Sequence, residues 1–528
     1  MERICVSADK WHFEEVSTGK RFVPFGSNFC FHYYTDEERE NIAWSLGILV
    51  EQPFRKDVIE RAFATAAKLN MNIMKMFLPV ATVLPDPQQG RQAKIADLTP
   101  SLYERLEFVF ALAEKYRIYI SLTLAEWGLG SLKWFNDGGQ FFGASSADAE
   151  VDSLSIIADF WRQIARWAKG RPQLFSYNLA VESYLPGAAC KSENKGNEWY
   201  MVSERFGVEA YRAFLRTKYG TVEALNAAHG AAWGSLEEVL PPADIRWNAY
   251  HETYNYPLPI VVDYTEFKEV MCYYYYKNAT DAIREVDPEH MVTAGLHPDQ
   301  IGVGPKGFAY KIANINNKLF DYLDYVTIHL YTQMSYLIDR PILPSGPFGT
   351  MEPAWSSPQE LERRRRECIL YCRFVYKDRP VILEEFGHHR LDEEENPGQE
   401  SYEGTCALLR ALLGHVSGMM LWNYGNFHTD DNRTMTCMMD YDQNITKWGE
   451  QWAKLAEPDG EVSALAGERI PARTEIALDY EQAYAPTETT PGEWILDHWE
   501  DWLHPVDFRV EENRALVCYK RQNKRTIW

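Results

Sequence analysis

Short apolar runs alternate with longer amphipathic ones along most of this chain, and that alternation limits its possible folds more than any other feature. The apolar runs are Phe22–Asn28, Asn72–Leu78, Ile118–Leu124, Leu174–Val181, Met291–Leu296, Tyr325–Tyr331, Pro380–Glu385 and Met419–Trp422, each of strand length. Helical patterns lie between most of them. Val58, Ile59, Ala62, Phe63, Ala66 and Leu69 form one apolar stripe, and Leu106, Val109, Phe110, Ala113 and Tyr116 form another. Further helices are expected at Leu154–Ala168, Glu266–Val286, Pro358–Tyr376, Glu403–His415 and Lys447–Ala456. Eight strand-helix repeats predict an α/β chain folded as a closed parallel (β/α)8 TIM barrel rather than an open sheet.

Two departures from even spacing add to this. Residues 182–290 separate the fourth strand from the fifth, far more than an ordinary connection needs. The stretch holds helix-like patterns at Asn197–Tyr219 and Val222–Ala228, then Trp247-Asn248-Ala249-Tyr250. It leaves the C-terminal face of the barrel, where barrel active sites lie, so an insertion over 185–262 is expected to wall the pocket. The second departure is the tail. With the barrel occupying 1–457, a Pro/Gly/Glu-rich linker leads to a strand at Thr474–Tyr480, a helix at Glu493–Leu503 and a strand at Ala515–Tyr519. Residues 470–528 therefore read as a partial α/β domain.

Charge and composition narrow the function. The 54 basic against 76 acidic residues leave a net charge of −22, which repels phosphate backbones and anionic lipid, so neither nucleic acid nor a membrane surface is an expected partner. The basic run Arg363–Arg366 sits among glutamates and reads as a solvated helix face. No basic segment followed by an apolar core opens the chain, no transmembrane span is expected, and the nine cysteines are scattered without a CxxC pair. Reduced thiols in a cytoplasmic protein fit this best. Aromatic content is 14%, including 17 Trp and 31 Tyr, which either fills core or stacks on the C–H faces of sugars. No phosphate-binding Gly-rich loop and no His-Glu-x-x-His helix is present, so no cofactor and no metal is expected.

An acidic residue at the end of a buried strand is costly unless used or paired, and Glu126, Glu182, Glu384 and Glu385 occupy such positions. The run Arg379-Pro380-Val381-Ile382-Leu383-Glu384-Glu385-Phe386-Gly387 resembles the seventh strand of clan A retaining glycoside hydrolases, family 5 above all. That resemblance implies that Glu385 is the nucleophile. Phe175–Ser183 resembles the fourth-strand motif ending Asn-Glu-Pro, which makes Glu182 the acid/base, with Val181 and Ser183 in place of the Asn and the Pro. In the family that Asn bonds the sugar 2-hydroxyl.

Other pieces follow in order. His329 and Tyr331 resemble the sixth-strand His-x-Tyr, where His lines the sugar subsite and Tyr bonds the nucleophile. Trp422 resembles the sugar platform of the eighth strand, and Asn28 the first-strand Gly-x-Asn. Lys75 stands where the family carries Arg, and cannot offer a bidentate fork. Glu126, Trp127, Asn178, His297 and His388 are further candidates for contacts to sugar hydroxyls and faces.

A second resemblance, to family 42 β-galactosidases, covers Tyr211–Gly220 with Val222–Asn226, the surroundings of Trp233, and the tail strand Thr474–Tyr484. It implies a homo-oligomer, a trimer by analogy. Together the resemblances imply a retaining β-glycosidase working by double displacement, exo-acting on short β-mannosides or β-galactosides, with β-glucosides also open and β-mannoside ranked slightly ahead on account of Val181 and the Glu384-Glu385-Phe386-Gly387 form. Val181 and Lys75 also leave an alternative from another class, a barrel that binds carbohydrate without cleaving it.

Overall fold

The computed structural model describes residues 1–30, 54–79, 98–125, 145–146, 149–150, 153–181, 208–242, 247–248, 253–254, 256–296, 322–331, 379–387, 416–425, 437–439, 444–457, 460, 462, 475–480, 503–511 and 514–521. Three short strands, β1 (Ile4–Val6), β2 (Phe13–Glu15) and β3 (Arg21–Phe22), form an antiparallel sheet at the start. The barrel then begins with β4 (Phe25–Asn28), α1 (Lys56–Lys68), β5 (Ile73–Pro79), α2 (Pro100–Tyr116) and β6 (Tyr119–Ala125). A small ribbon, β7 (Ser145–Ser146) with β8 (Ala149–Glu150), precedes α3 (Ser153–Ala168) and β9 (Leu174–Val181). The insertion contributes α4 (Val208–Tyr219), α5 (Val222–His229) and the ribbon β10 (Trp247–Asn248) with β11 (Thr253–Tyr254). It runs into α6 (Leu258–Val286), after which β12 (Met291–Leu296), β13 (Val326–Tyr331), β14 (Val381–Gly387) and β15 (Gly418–Leu421) complete the ring.

Strands β4, β5, β6, β9, β12, β13, β14 and β15 pair in parallel in that order and close, β15 on β4. Alternation along each strand sorts side chains into two sets, as the period of two requires. On β5, Met74, Met76 and Leu78 join the layer between barrel and helices, while Ile73 belongs to a separate interior cluster. That cluster combines Ile73, Tyr119, Phe175, Met291, Tyr325, Ile382 and Met420 with Ile4 and Phe13 from the N-terminal sheet. Phe13 sets its ring 5.2 Å from both Phe175 and Tyr325. The opening residues thus plug the barrel floor, a role invisible in strands of two or three residues.

The seam closes with equal economy. Gly26 is required because a Cβ there would lie 1.8 Å from the Ile73 carbonyl oxygen. Helix α7 (Lys447–Leu455), capped by Thr446 Oγ1 accepting from the Gly449 N–H at 3.1 Å, stacks Trp452 on Phe25 at 3.8 Å.

The insertion docks on α6 through a buried carboxylate. Asp263 accepts from Lys218 Nζ at 2.9 Å and Tyr219 OH at 2.7 Å, and pairs with His229 Nε2 at 2.7 Å. Burial would raise the Asp263 pKa, but His229, Lys218 and Tyr219 together hold it below the ordinary carboxylate value. The tail differs from expectation in one element. A three-stranded mixed sheet combines β16 (Glu475–Tyr480), β17 (Leu503–Glu511) and β18 (Arg514–Arg521), in the order β16-β18-β17. Leu503 therefore opens a strand rather than ending a helix. Pro505, beside a register shift between Pro505 and Asp507, masks that strand in the sequence. Residues 493–502 and the helices expected at 358–376 and 403–415 lie outside the described residues.

Candidate active site

The seventh barrel strand carries a defect in its ladder that decides the site. Ile328 of β13 pairs with Leu383 of β14, but the next residue, His329, pairs with Glu385. One residue of β14, Glu384, is thus extra, which is the signature of a bulge. Ordinary alternation would turn Glu384 inward with Ile382 and send Glu385 outward. The bulge resets the count, so both carboxylates point into the barrel and Phe386 rejoins the outer layer. Both are nearly sealed, Glu384 at 1% and Glu385 at 4% exposure.

Two bare carboxylates side by side in a low-dielectric interior repel each other and need partners. Lys75 supplies the first. Two residues above the apolar Ile73 on β5, it is wholly buried and donates to Glu384 Oε2 at 3.0 Å and to Glu385 Oε1 at 3.1 Å. Burial would lower the Lys75 pKa, yet the charges of Glu384 and Glu385 outweigh it and raise the value above its ordinary one. His329 supplies the second, with Nε2 at 3.2 Å from Glu384 Oε2 and Nδ1 at 3.3 Å from Glu385 Oε2. Asn178 Nδ2 donates to Glu384 Oε1 at 2.7 Å, while its Oδ1 accepts from the Gly295 N–H at 2.9 Å. Asn28 Nδ2 fixes the backbone beneath, donating to the Glu384 carbonyl at 2.8 Å. Burial pushes the Glu384 pKa up, but the Lys75 charge and the His329 hydrogen bond and charge reverse this and leave it at about 2.

Each oxygen of Glu384 accepts a hydrogen bond, and Glu385 meets Lys75 through Oε1 and His329 through Oε2, so both carboxylates are held in place. Trp422 edges onto Phe77 at 6.2 Å, half-buried at the end of β15.

Of the residues singled out in the sequence, Asn28, Lys75, Asn178, His329 and Glu385 meet in this one cluster, and Trp422 stands at the end of the neighbouring strand. Lys75, Asn28 and Asn178 have their nitrogens turned to β14 rather than to an open cleft. Tyr331 pairs in register with Gly387 and Val181 with Gly295, but their side chains lie outside the described residues, as do Glu126, Trp127, Glu182, His297 and His388. Glu182 follows directly on the last residue of β9. Glu384, named in the sequence among the strand-end acids but given no role there, is the residue that gathers the others. Its signal was available: two adjacent acids cannot share one face of a regular strand, so an inward-facing pair implies a bulge.

Comparison with known proteins sets this cluster in context. Residues 158–356 match the model of glycoside hydrolase family 42, described as Beta-galactosidase. A beta-galactosidase of Arthrobacter sp is 36% identical over 105 residues, 18% of this chain and 14% of that protein. Among solved structures, a catalytic mutant of Gan42B, a GH42 beta-galactosidase from G. stearothermophilus, superposes with a TM-score of 0.55 at 14% identity, covering 94% of this chain and 67% of that one. A beta-galactosidase from the haloarchaeon Halorubrum lacusprofundi gives a TM-score of 0.52 at 15% identity, covering 81% of this chain and 59% of its own. The Arthrobacter and Halorubrum proteins are thus matched over less than two thirds of their lengths, and the family match contains Glu182 but ends before Glu385. No helix among the described residues is long and apolar enough to cross a membrane.

Proposed function

We propose that this chain is a retaining β-glycoside hydrolase in which Glu385 is the nucleophile and Glu182 the acid/base. The carrying observation is the Glu385 carboxylate, sealed at the C-terminal end of β14 and flanked by Lys75 and His329. In the first step a Glu385 oxygen bonds to the anomeric carbon while Glu182 protonates the departing glycosidic oxygen. In the second, Glu182 takes a proton from water, which displaces Glu385 and releases the sugar. Neither step requires a cofactor.

The names of the relatives favour a β-galactoside as the substrate. One observation favours a β-mannoside instead: Val181, at the end of β9, has no polar atom for an equatorial 2-hydroxyl. A good hydrogen bond lost from the transition state costs roughly 1–3 kcal/mol, or about ten- to a hundredfold in rate. A mannoside, whose 2-hydroxyl is axial, evades that loss. We further read the enzyme as cytoplasmic and exo-acting on short oligosaccharides, and residues from about 470 onward as support for a homo-oligomer, a trimer by the family 42 likeness.

A panel of p-nitrophenyl β-glycosides assigns the sugar. Glu385→Ala is expected to abolish turnover and to yield the α-glycosyl azide when azide is supplied. Loss of activity in Glu384→Ala, with Glu385→Ala still active, would move the nucleophile by one residue and defeat the assignment.

A further inference from the structure

His329 faces a carboxylate from each ring nitrogen, Glu384 from Nε2 at 3.2 Å and Glu385 from Nδ1 at 3.3 Å. A neutral imidazole has one N–H and one lone pair, so one of these contacts would set a lone pair against an anionic oxygen. In a fully buried ring that repulsion is not screened by water. Either the ring carries both protons, or one carboxylate carries the missing one. Glu384 is ill suited to do so, since Lys75 Nζ and Asn178 Nδ2 already donate to its two oxygens.

We propose that His329 is held as an imidazolium between the two carboxylates, and that Glu384 is a positioning residue that keeps two cations, Lys75 and His329, against Glu385. This rests on the reading of Glu385 as nucleophile. Among the described residues, the titratable groups around His329 are Glu384 and Glu385 on β14, Lys75 reaching across from β5, and Tyr325, four residues earlier on the same face of β13. Tyr325 is neutral, its hydroxyl 2.7 Å from Ser176 Oγ and its pKa raised by burial and by the Glu384 charge. Among the described residues two anions and two cations balance, so this set of four is neutral at rest. When Glu385 becomes an ester, its negative charge leaves with the bond it forms, and the cluster is left one charge positive. That excess favours the return of the carboxylate, which is the bond-breaking half of ester hydrolysis. Glu384 thus acts on the second step through Lys75 and His329 without touching the sugar.

The test reads the ring directly. Full-length protein labelled with ¹⁵N-histidine is measured by magic-angle-spinning NMR near pH 7, with the His329 signals assigned by their loss in His329→Gln. Two protonated ring nitrogens are the expected result for the wild type. One protonated and one bare nitrogen would overturn the proposal and put the proton on a carboxylate. This measurement stands whether or not the protein cleaves glycosides and needs no folded variant at position 384. In Glu384→Gln the titration midpoint of the ring, read by the same NMR signals, is expected to fall by about one pH unit, the size of effect that one neighbouring charge exerts. A midpoint unmoved in a folded Glu384→Gln would also overturn it.

Discussion

Two layers of the same barrel interior, two to four residues apart along each strand, are built on opposite principles. The floor is Ile73, Tyr119, Phe175, Tyr325 and Ile382 under the Phe13 plug, with its rings packed edge to face. The layer above replaces Ile73 by Lys75, Tyr325 by His329 and Ile382 by Glu384, and all three replacements are sealed from water. The floor gains free energy simply by excluding water. The upper layer gains none that way: each buried charge costs several kcal/mol and is tolerated only for its partners. A barrel can afford this where a rigid apolar floor fixes the strands first, so the comparison assigns stability to one layer and chemistry to the next.

The sharpest attempt to break that division is Lys75→Met, which matches the side chain in length and removes the charge. Two carboxylates would then face each other with one buried partner fewer. The expected loss is roughly 3–5 kcal/mol in chemical denaturation, as when one member of a buried pair is deleted, together with loss of activity. A variant as stable as the wild type would show that the upper layer is already relaxed around its charges. Phe13→Ala probes the floor from outside the barrel sheet. It should cost about 3 kcal/mol, at the lower end for a buried aromatic because the plug can shift, while kcat/KM stays at the wild-type value. A large fall in kcat would mean that the floor sets the geometry above it.

Acid separates the layers without mutation. Glu384 has its pKa depressed from the ordinary 4.5 to about 2, so its contribution is present above pH 4.5 and disappears as the pH falls toward 2. The span corresponds to roughly 3 kcal/mol. Denaturation midpoints measured across that window should fall in the wild type, and less steeply in Glu384→Gln. Equal slopes would mean that other carboxylates carry the acid limb, with Asp287, held at about 2 by His290 and Tyr177 against its own burial, the first to examine.

The floor and the outer layer were legible in the sequence because alternation is a local signal. Leu174–Val181 and Met291–Leu296 were bounded to the residue, and the remaining barrel strands to within a few. The N-terminal plug was not, since strands of two or three residues show no period. The site was legible by type but not by arrangement. Lys75, Asn178 and His329 were each singled out as sugar contacts, yet what unites them is Glu384. The bulge that turns Glu384 and Glu385 to one side arises from the register between β13 and β14, a property of two strands that neither records alone. The likeness to family 42 spans residues 158–356 and so takes in the insertion together with Asn178 and His329, but not Lys75, Glu384 or Glu385.

The smallest expected effect lies where one layer gives way to the other. Tyr325 belongs to the floor by its ring, 5.2 Å from Phe13 and 5.7 Å from Phe175, and to the upper layer by its hydroxyl. That hydroxyl meets Ser176 Oγ at 2.7 Å, and Ser176 in turn meets Ser121 Oγ at 3.0 Å. Tyr325→Phe keeps the ring contacts and deletes one neutral hydrogen bond, leaving Ser176 with Ser121 as a remaining partner. A net cost of about 1 kcal/mol is therefore expected. The hydroxyl also feels Glu384, but as a neutral dipole it adds little to a carboxylate already bonded by Lys75, Asn178 and His329. Activity should consequently stay close to that of the wild type, with thermal unfolding slightly earlier. If kcat/KM instead falls as steeply as stability is spared, the Ser121–Ser176–Tyr325 chain is part of the support beneath Glu384, and the chemical layer begins one residue pair lower than the change from apolar to charged side chains implies.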